Sequence, residues 1–364
     1  MSTLPPRLQR LTDSLDDLQL DALLVTDEIN VRYLSGFTGD SSFLLVASQG
    51  TTILSDGRYT TQIAEQCTGI ETQIRSSTQL LRDVVKEMLG SCGAKRVGVE
   101  ADKLTLAEFQ FLEAGCDGIE FVSTKAVVEK LRMIKDEAEV VLTRRAVEIA
   151  ERVFTELVPT LTSEHTEKQV AHDIEHRMRQ LGAQGCSFAP IVAAGPGGAL
   201  PHYQPQDLPL AKHRSLLIDW GANFDGYASD LTRTLHQQNV SDAFKRAYEG
   251  VLEAQLAAIE LIKPGTPAGE VDAAARSALE RHGILDAFKH GLGHGTGLQI
   301  HESPRLSPIS DEILASGMII TVEPGVYYDG DFGIRIEDDI LVTDSGHEVL
   351  SSLPKGLDDC RFML

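Results

Sequence analysis

The sequence predicts an α+β protein in two domains: a smaller α/β unit over residues 1–128 and a larger α+β unit with pseudo-twofold internal repetition over 129–364. Three observations predict it. The chain has 364 residues, more than one hydrophobic core usually accommodates. Its first third alternates short apolar runs with helical patterns. From Leu142 onward, two helices followed by strand-like segments occur, and then occur again.

In the first third, ALLVT (22–26), FLLVAS (43–48) and TTIL (51–54) read as strands, and RYTTQIAEQ (58–66) as a helix. The unit closes near AVVEKLRMIKDEAEV, where a charged stretch runs into a long helix, so the boundary is expected within 125–135. Leu142, Ala146, Ile149, Val153 and Leu157 keep helical spacing, with Pro159 just past the end. A second helix takes Ser163 as its N-cap, lays Val170, Ile174, Met178 and Leu181 along one face, and stops at Gly182. Strand-like segments then lead to a hairpin, LLIDWGANFDGYASDLTRT (216–234). The repeat begins with a helix carrying Phe244, Tyr248, Val251, Leu252 and Ile259 that ends at Lys263-Pro264-Gly265. Its partner starts at Thr266-Pro267, runs through Val271, Ala275 and Ala278, and stops at Gly283. The second hairpin is GMIITVEPGVYYDGDFGIRIEDDILVT (317–343).

A formal charge of −21 argues against nucleic acid as a partner, because phosphate binding relies on basic surface. The N-terminal MSTLPPRLQRLTDSLDD lacks the apolar core of a signal peptide, and no segment approaches about 18 uninterrupted apolar residues, so a cytoplasmic protein without membrane association is expected. Five scattered cysteines without a CxxC pair read as reduced thiols rather than a disulfide frame or a zinc knot.

The hairpins carry the chemistry. A turn centred on Phe224-Asp225 sets Asp219 opposite Asp230, two like charges with Cβ atoms roughly 4.5–5.5 Å apart. In that register Gly221 faces Ala228 and leaves room beside the acids. Glu323 and Glu337 flank Gly330 symmetrically and are candidates for a second cross-strand acid pair. Alternation puts Arg335, Glu337 and Asp339 on one face and Ile334, Ile336 and Ile340 on the other. Carboxylates gathered in this way call for a cation or a shared proton between them. Between the hairpins, AFKHGLGHGTGLQIHESP holds His290, His294 and His301 in glycine-rich backbone that is unlike a helix and matches neither GxGxxG nor GxxxxGK[ST]. His202 follows another glycine cluster, AAGPGGALPHY.

Together IDWGANFDGYASDLTRT, GHGTGLQIHES, TVEPGVY and RIEDDILVT resemble the successive signatures of the pita-bread metallopeptidases, the group containing aminopeptidase P, prolidase, methionine aminopeptidase and creatinase. YLSGFTG (33–39) and SDGRYTTQ (55–62) resemble the N-terminal domain of aminopeptidase P and prolidase. Position by position, the resemblance implies metal ligation by Asp219, Asp230, His294, Glu323 and Glu337, with Asp230 and Glu337 bridging two divalent ions. The oxygen-rich donor set favours manganese, with cobalt or zinc as alternatives. It further implies hydrolysis of an Xaa-Pro bond by a hydroxide bridging the ions. Glu323 would also serve as the base, His202 and His301 would stabilise the intermediate or pass a proton, and His290 and His202 would contact substrate. Arg335 would orient Glu337 or dock a carboxylate. The substrate implied is a peptide or dipeptide with proline second. The N-terminal domain would serve substrate access and dimer contacts, with Arg58 or Tyr59 as candidates to reach a partner's cleft in a homodimer. Three readings stand beside the Xaa-Pro aminopeptidase: a prolidase restricted to dipeptides, a metal-free hydrolase on the same scaffold, and a non-catalytic peptide-binding protein.

Overall fold

A computed structural model of the chain describes residues 6–363, which divide into two compact units between Arg132 and Met133. The first unit is built on a six-stranded mixed sheet formed by β1 (Ala22–Val25), β2 (Phe43–Ala47), β3 (Gly50–Ser55), β4 (Glu71–Ile74), β5 (Arg96–Glu100) and β6 (Glu120–Thr124), in the order β4-β3-β2-β1-β5-β6. The inner strands β1 and β2 are buried on both faces and so read as continuous apolar runs, whereas the edge strands β4 and β6 are largely exposed. Alternate residues Leu24, Leu45, Leu54, Val97 and Val99 share a core with Val84, Val85 and Leu89 of one helix and Leu112 of another.

The second unit opens with a long helix, α1 (Glu137–Leu157), capped by Asp136 in a reciprocal box with Glu139. The helix that follows, α2 (Glu167–Gln180), is capped by Thr166. Ser163 was expected there. Thr166 prevails because Gln169, three residues on, returns its hydrogen bond to the cap's amide. The repeat brings α3 (Asp242–Glu260), capped by Ser241, and α4 (Ala268–Arg281). Each helix pair precedes a hairpin. The first hairpin has a base of β7 (Ser215–Trp220) with β8 (Leu231–His236), and a tip formed by Ala222–Phe224 with Tyr227–Ala228. The second has a base of β9 (Ile319–Val322) with β10 (Asp338–Val342), and a tip of Gly325–Tyr328 with Phe332–Arg335.

Both hairpins lose regular pairing between base and tip, and both acid pairs lie at or beside that break. In the first, the expected register is wrong. Thr232, not Asp230, lies opposite Asp219, and Leu231 lies opposite Trp220. The turn sits on Asp225-Gly226, whose φ angles of 47° and 84° are the two positive values a two-residue hairpin loop requires and the Asp-Gly dipeptide favours. Gly221 leaves no open space either. A Cβ there would stand 1.8 Å from the Ser229 carbonyl oxygen, so glycine serves close backbone approach. In the second hairpin, base and tip keep one register, which aligns Glu323 with Glu337 across the gap. They do not pair there: Glu337 instead bridges to Thr232 of the first hairpin, its amide donating to the Thr232 carbonyl at 3.1 Å. The two repeats are thus stitched together at the residues that matter.

Behind this seam lies a core containing Ile218, Trp220, Leu231, Ile334, Ile336 and Ile340. Trp220 stacks on Phe154 at 4.6 Å and donates to the Ala150 carbonyl. Arg233 and Asp338 are fully buried on the core side and satisfy each other at 2.7 Å. Arg233 also donates to the carbonyls of Thr232 and Glu337, and Lys355 reaches Asp338 at 2.5 Å. A buried charge requires this completeness. Among the described residues no helix is long and apolar enough to cross a membrane.

Candidate metal centre

Asp219 projects from β7, Asp230 immediately precedes β8, and Glu337 immediately precedes β10, all of them buried. His294 comes from a three-residue strand, Gly293–Gly295, flanked by glycines for a steric reason. A Cβ at Gly293 would lie 2.1 Å from the Thr321 carbonyl oxygen, and one at Gly295 equally close to that of Ser303. Glu323 follows β9 and leads into Pro324, which has no amide to continue a ladder.

Asp230, His294 and Glu337 each offer a donor atom, and these atoms all lie within 4.8 Å of one another. His294 Nε2 is 3.6 Å from Asp230 Oδ2 and 3.4 Å from Glu323 Oε1. Its Nδ1 faces the Gly295 carbonyl at 3.0 Å and must donate to it, which leaves the Nε2 lone pair aimed at two carboxylates. Three acceptors facing one another in this way form a donor set that a cation can satisfy. Asp219 gives Oδ2 to Arg335 at 2.5 Å, while its buried Oδ1 has no hydrogen-bond partner among the described residues.

Electrostatics point the same way. Burial raises the carboxyl of Asp230 well above its ordinary range, and Glu337, Asp219 and Glu323 raise it further. Glu337 is raised by burial, then by Glu323 and Asp219. Burial pushes Glu323 up to about 7 and raises Asp219 against the pull of Arg335. His294 is driven down to about 3 by burial, so it is neutral and free to ligate. This donor set fits divalent metal ions.

Arg335, from the end of the second tip, donates to Asp219, to Thr232 Oγ1 at 3.1 Å and to the Tyr327 hydroxyl at 2.9 Å. Thr232 in turn donates to Glu337 Oε2 at 2.6 Å. His290 Nδ1 faces the Gly291 carbonyl at 2.7 Å and Nε2 faces the Tyr327 hydroxyl at 2.9 Å. Tyr327 therefore donates to His290 while accepting from Arg335, and both ring nitrogens of His290 are occupied. His301 is exposed, with its ring 4.4 Å from that of His294. His202 lies in an exposed turn after the Gly195–Ala199 helical turn, within electrostatic reach of Asp219, His290 and His301.

Sequence reasoning missed Thr232, Tyr327 and Asp339. Asp339 accepts from the Asp230 amide at 2.9 Å and so occupies the place where that strand's ladder lapses. Its position on the face of Arg335 and Glu337 was the available signal. Tyr327 had none, because its partners are fixed by tertiary packing.

A repeated helix-pair-and-hairpin unit whose acids converge with an imidazole is the architecture of a metal-binding hydrolase site. Residues 141–344 match metallopeptidase family M24, and residues 7–134 match the creatinase/prolidase N-terminal domain; the chain belongs to this family. Divalent metal ions follow from that membership. An uncharacterized peptidase of Bacillus subtilis, YqhT, is 36% identical over 351 residues, covering 96% of this chain and 99% of its own. A Pyrococcus horikoshii protein named Xaa-Pro dipeptidase is 32% identical and covers 98% and 100%. Among solved structures, the Xaa-Pro dipeptidase from Bacillus anthracis superposes with a TM-score of 0.92 at 36% identity, covering 96% of this chain and 98% of that one. The X-Pro aminopeptidase from Thermotoga maritima gives 0.88 at 33%, covering 98% and 100%.

Proposed function

We propose that the protein hydrolyses the Xaa-Pro peptide bond and releases the residue preceding proline, using two divalent ions held by Asp219, Asp230, His294, Glu323 and Glu337. The observation that carries this reading is the convergence of Asp230, His294 and Glu337, with the Nε2 lone pair of His294 facing Glu323 as well. Bound there, the ions supply an acidified water and polarise the scissile carbonyl. Manganese suits so oxygen-rich a set.

The chain's own groups complete the chemistry. Glu323 takes the proton of the attacking water. Arg335, expected to orient Glu337 or dock a carboxylate, instead bonds Asp219 directly and reaches Glu337 only through Thr232, so its role is to fix both acids in place. His290, neutral because burial lowers it to about 4, acts through its ring face and through Tyr327. His202 and His301 are exposed and within electrostatic reach of Asp219, and their proposed roles are to stabilise the tetrahedral intermediate and carry a proton to the departing nitrogen. The same reading includes a homodimer, expected to sediment at twice the chain mass.

A dipeptide-restricted activity is the second reading, favoured by the names of the relatives from Pyrococcus horikoshii and Bacillus anthracis. The test is incubation with Mn²⁺ and three substrates: Gly-Pro, longer peptides with proline second, and Met-leading peptides without proline. Cleavage of the longer peptides supports the first reading, and cleavage of Gly-Pro alone supports the second. Met release without Xaa-Pro cleavage overturns both.

A further inference from the structure

Lys135 lies in the short segment between residues 133 and 137, before α1, and is 5% exposed. Its Nζ is 3.3 Å from Glu302 Oε2, and the two side chains are 1% and 6% exposed. A cation and an anion so fully withdrawn from water make a costly pairing that must answer a demand at that place. Glu302 follows His301 directly and opens the strand Glu302–Leu306. Its Oε1 accepts from the Gln299 amide at 2.9 Å, closing the loop around His301. The Gly297 amide bonds the Gln299 carbonyl across the same loop, and a Cβ at Gly297 would lie 3.0 Å from both Glu302 Oε2 and Lys135 Cε. On its other side, Lys135 is fastened through its own amide to the Gly317 carbonyl at 2.9 Å. His301 itself is exposed, so its station beside His294 depends on the backbone that carries it.

We infer that Lys135 and Glu302 are positioning residues for His301, their buried ion pair setting the loop that presents its imidazole to the substrate. The inference rests on the role proposed for His301. Removing the cation leaves the loop folded but lets the imidazole wander from the departing nitrogen, which slows turnover without weakening substrate capture.

The experiment is a double-mutant cycle on the Mn²⁺-loaded full chain with an Xaa-Pro peptide, with metal content and thermal midpoint measured for each variant. Lys135→Met is expected to lower kcat about tenfold with KM within about twofold, while Lys135→Arg retains activity. In a His301→Ala background, Lys135→Met is expected to cost no more than about twofold further. Should Lys135→Met not fold, Glu302→Gln enters the same cycle. Equal losses in both backgrounds, or a loss carried by KM, overturn the inference. No Xaa-Pro cleavage by the unaltered protein overturns the proposed function itself, which separates the two failures.

Discussion

Asp230 is buried among Glu337, Asp219 and Glu323, which raise its carboxyl, so that a proton or a cation relieves its charge. Asp230→Asn is therefore expected to raise the thermal midpoint of the second unit in the metal-free protein by about 2–4 °C, the size of a 1 kcal/mol gain in a domain of about 150–250 residues. It should also abolish the stabilisation that Mn²⁺ gives the unaltered protein, and thermal scans with and without the metal check both effects. An unchanged response to Mn²⁺ would contradict the ligand assignment. Arg335→Lys keeps the charge but loses the fork that reaches Asp219, Thr232 and Tyr327 together. Losing two such hydrogen bonds, at about 1.5 kcal/mol each, predicts a fall of about 10²-fold in kcat/KM. The acids and His294 could be read in sequence because each sits in a short ordered motif. Tyr327, Thr232 and the Arg233–Asp338 pair could not, since they are joined only by folding.

At the level of elements, the first hairpin separates two uses of glycine. Gly226 serves the turn with φ 84°, whereas Gly221 allows a carbonyl to approach within the distance a methyl would need. Gly226→Ala is expected to destabilise the fold by about 1 kcal/mol and leave metal affinity unchanged. Gly221→Ala must push Ser229 and the adjoining Asp230 aside, and should weaken Mn²⁺ binding at least tenfold by titration calorimetry. The error of register expected from sequence has its origin here. Placing the turn one residue early, on Phe224-Asp225, moved the partner of Asp219 by two positions and turned a close approach into an imagined space. The type of element was legible throughout; its pairing depended on the positive-φ preference of a single dipeptide. The N-terminal unit offers a test of another kind. Asp56 caps the turn at Gly57–Tyr59 and is held down to about 2, chiefly by Arg58. Because its folded value lies below the ordinary 3.8, the stabilisation is full above about 4 and is lost as pH falls toward 2. Urea midpoints measured across that window should fall less steeply for Asp56→Asn.

For the molecule as a whole, 54 acidic residues against 33 basic ones give a net charge of −21, whose mutual repulsion salt screens at the surface but scarcely at all inside the site. Raising NaCl from about 0.05 to 0.5 M should thus lift the metal-free midpoint in parallel for the unaltered protein and for Asp230→Asn, leaving their difference in place. The bridge from Thr232 to Glu337 has a wider consequence. Since the groups proposed to hold the cations belong to a join between two copies of one architectural unit, neither copy is a catalyst in waiting. On the proposed assignment, whichever copy organises last during folding confers the capacity to hold metal, and a lesion that loosens the join is expected to silence the protein even when each copy alone is sound.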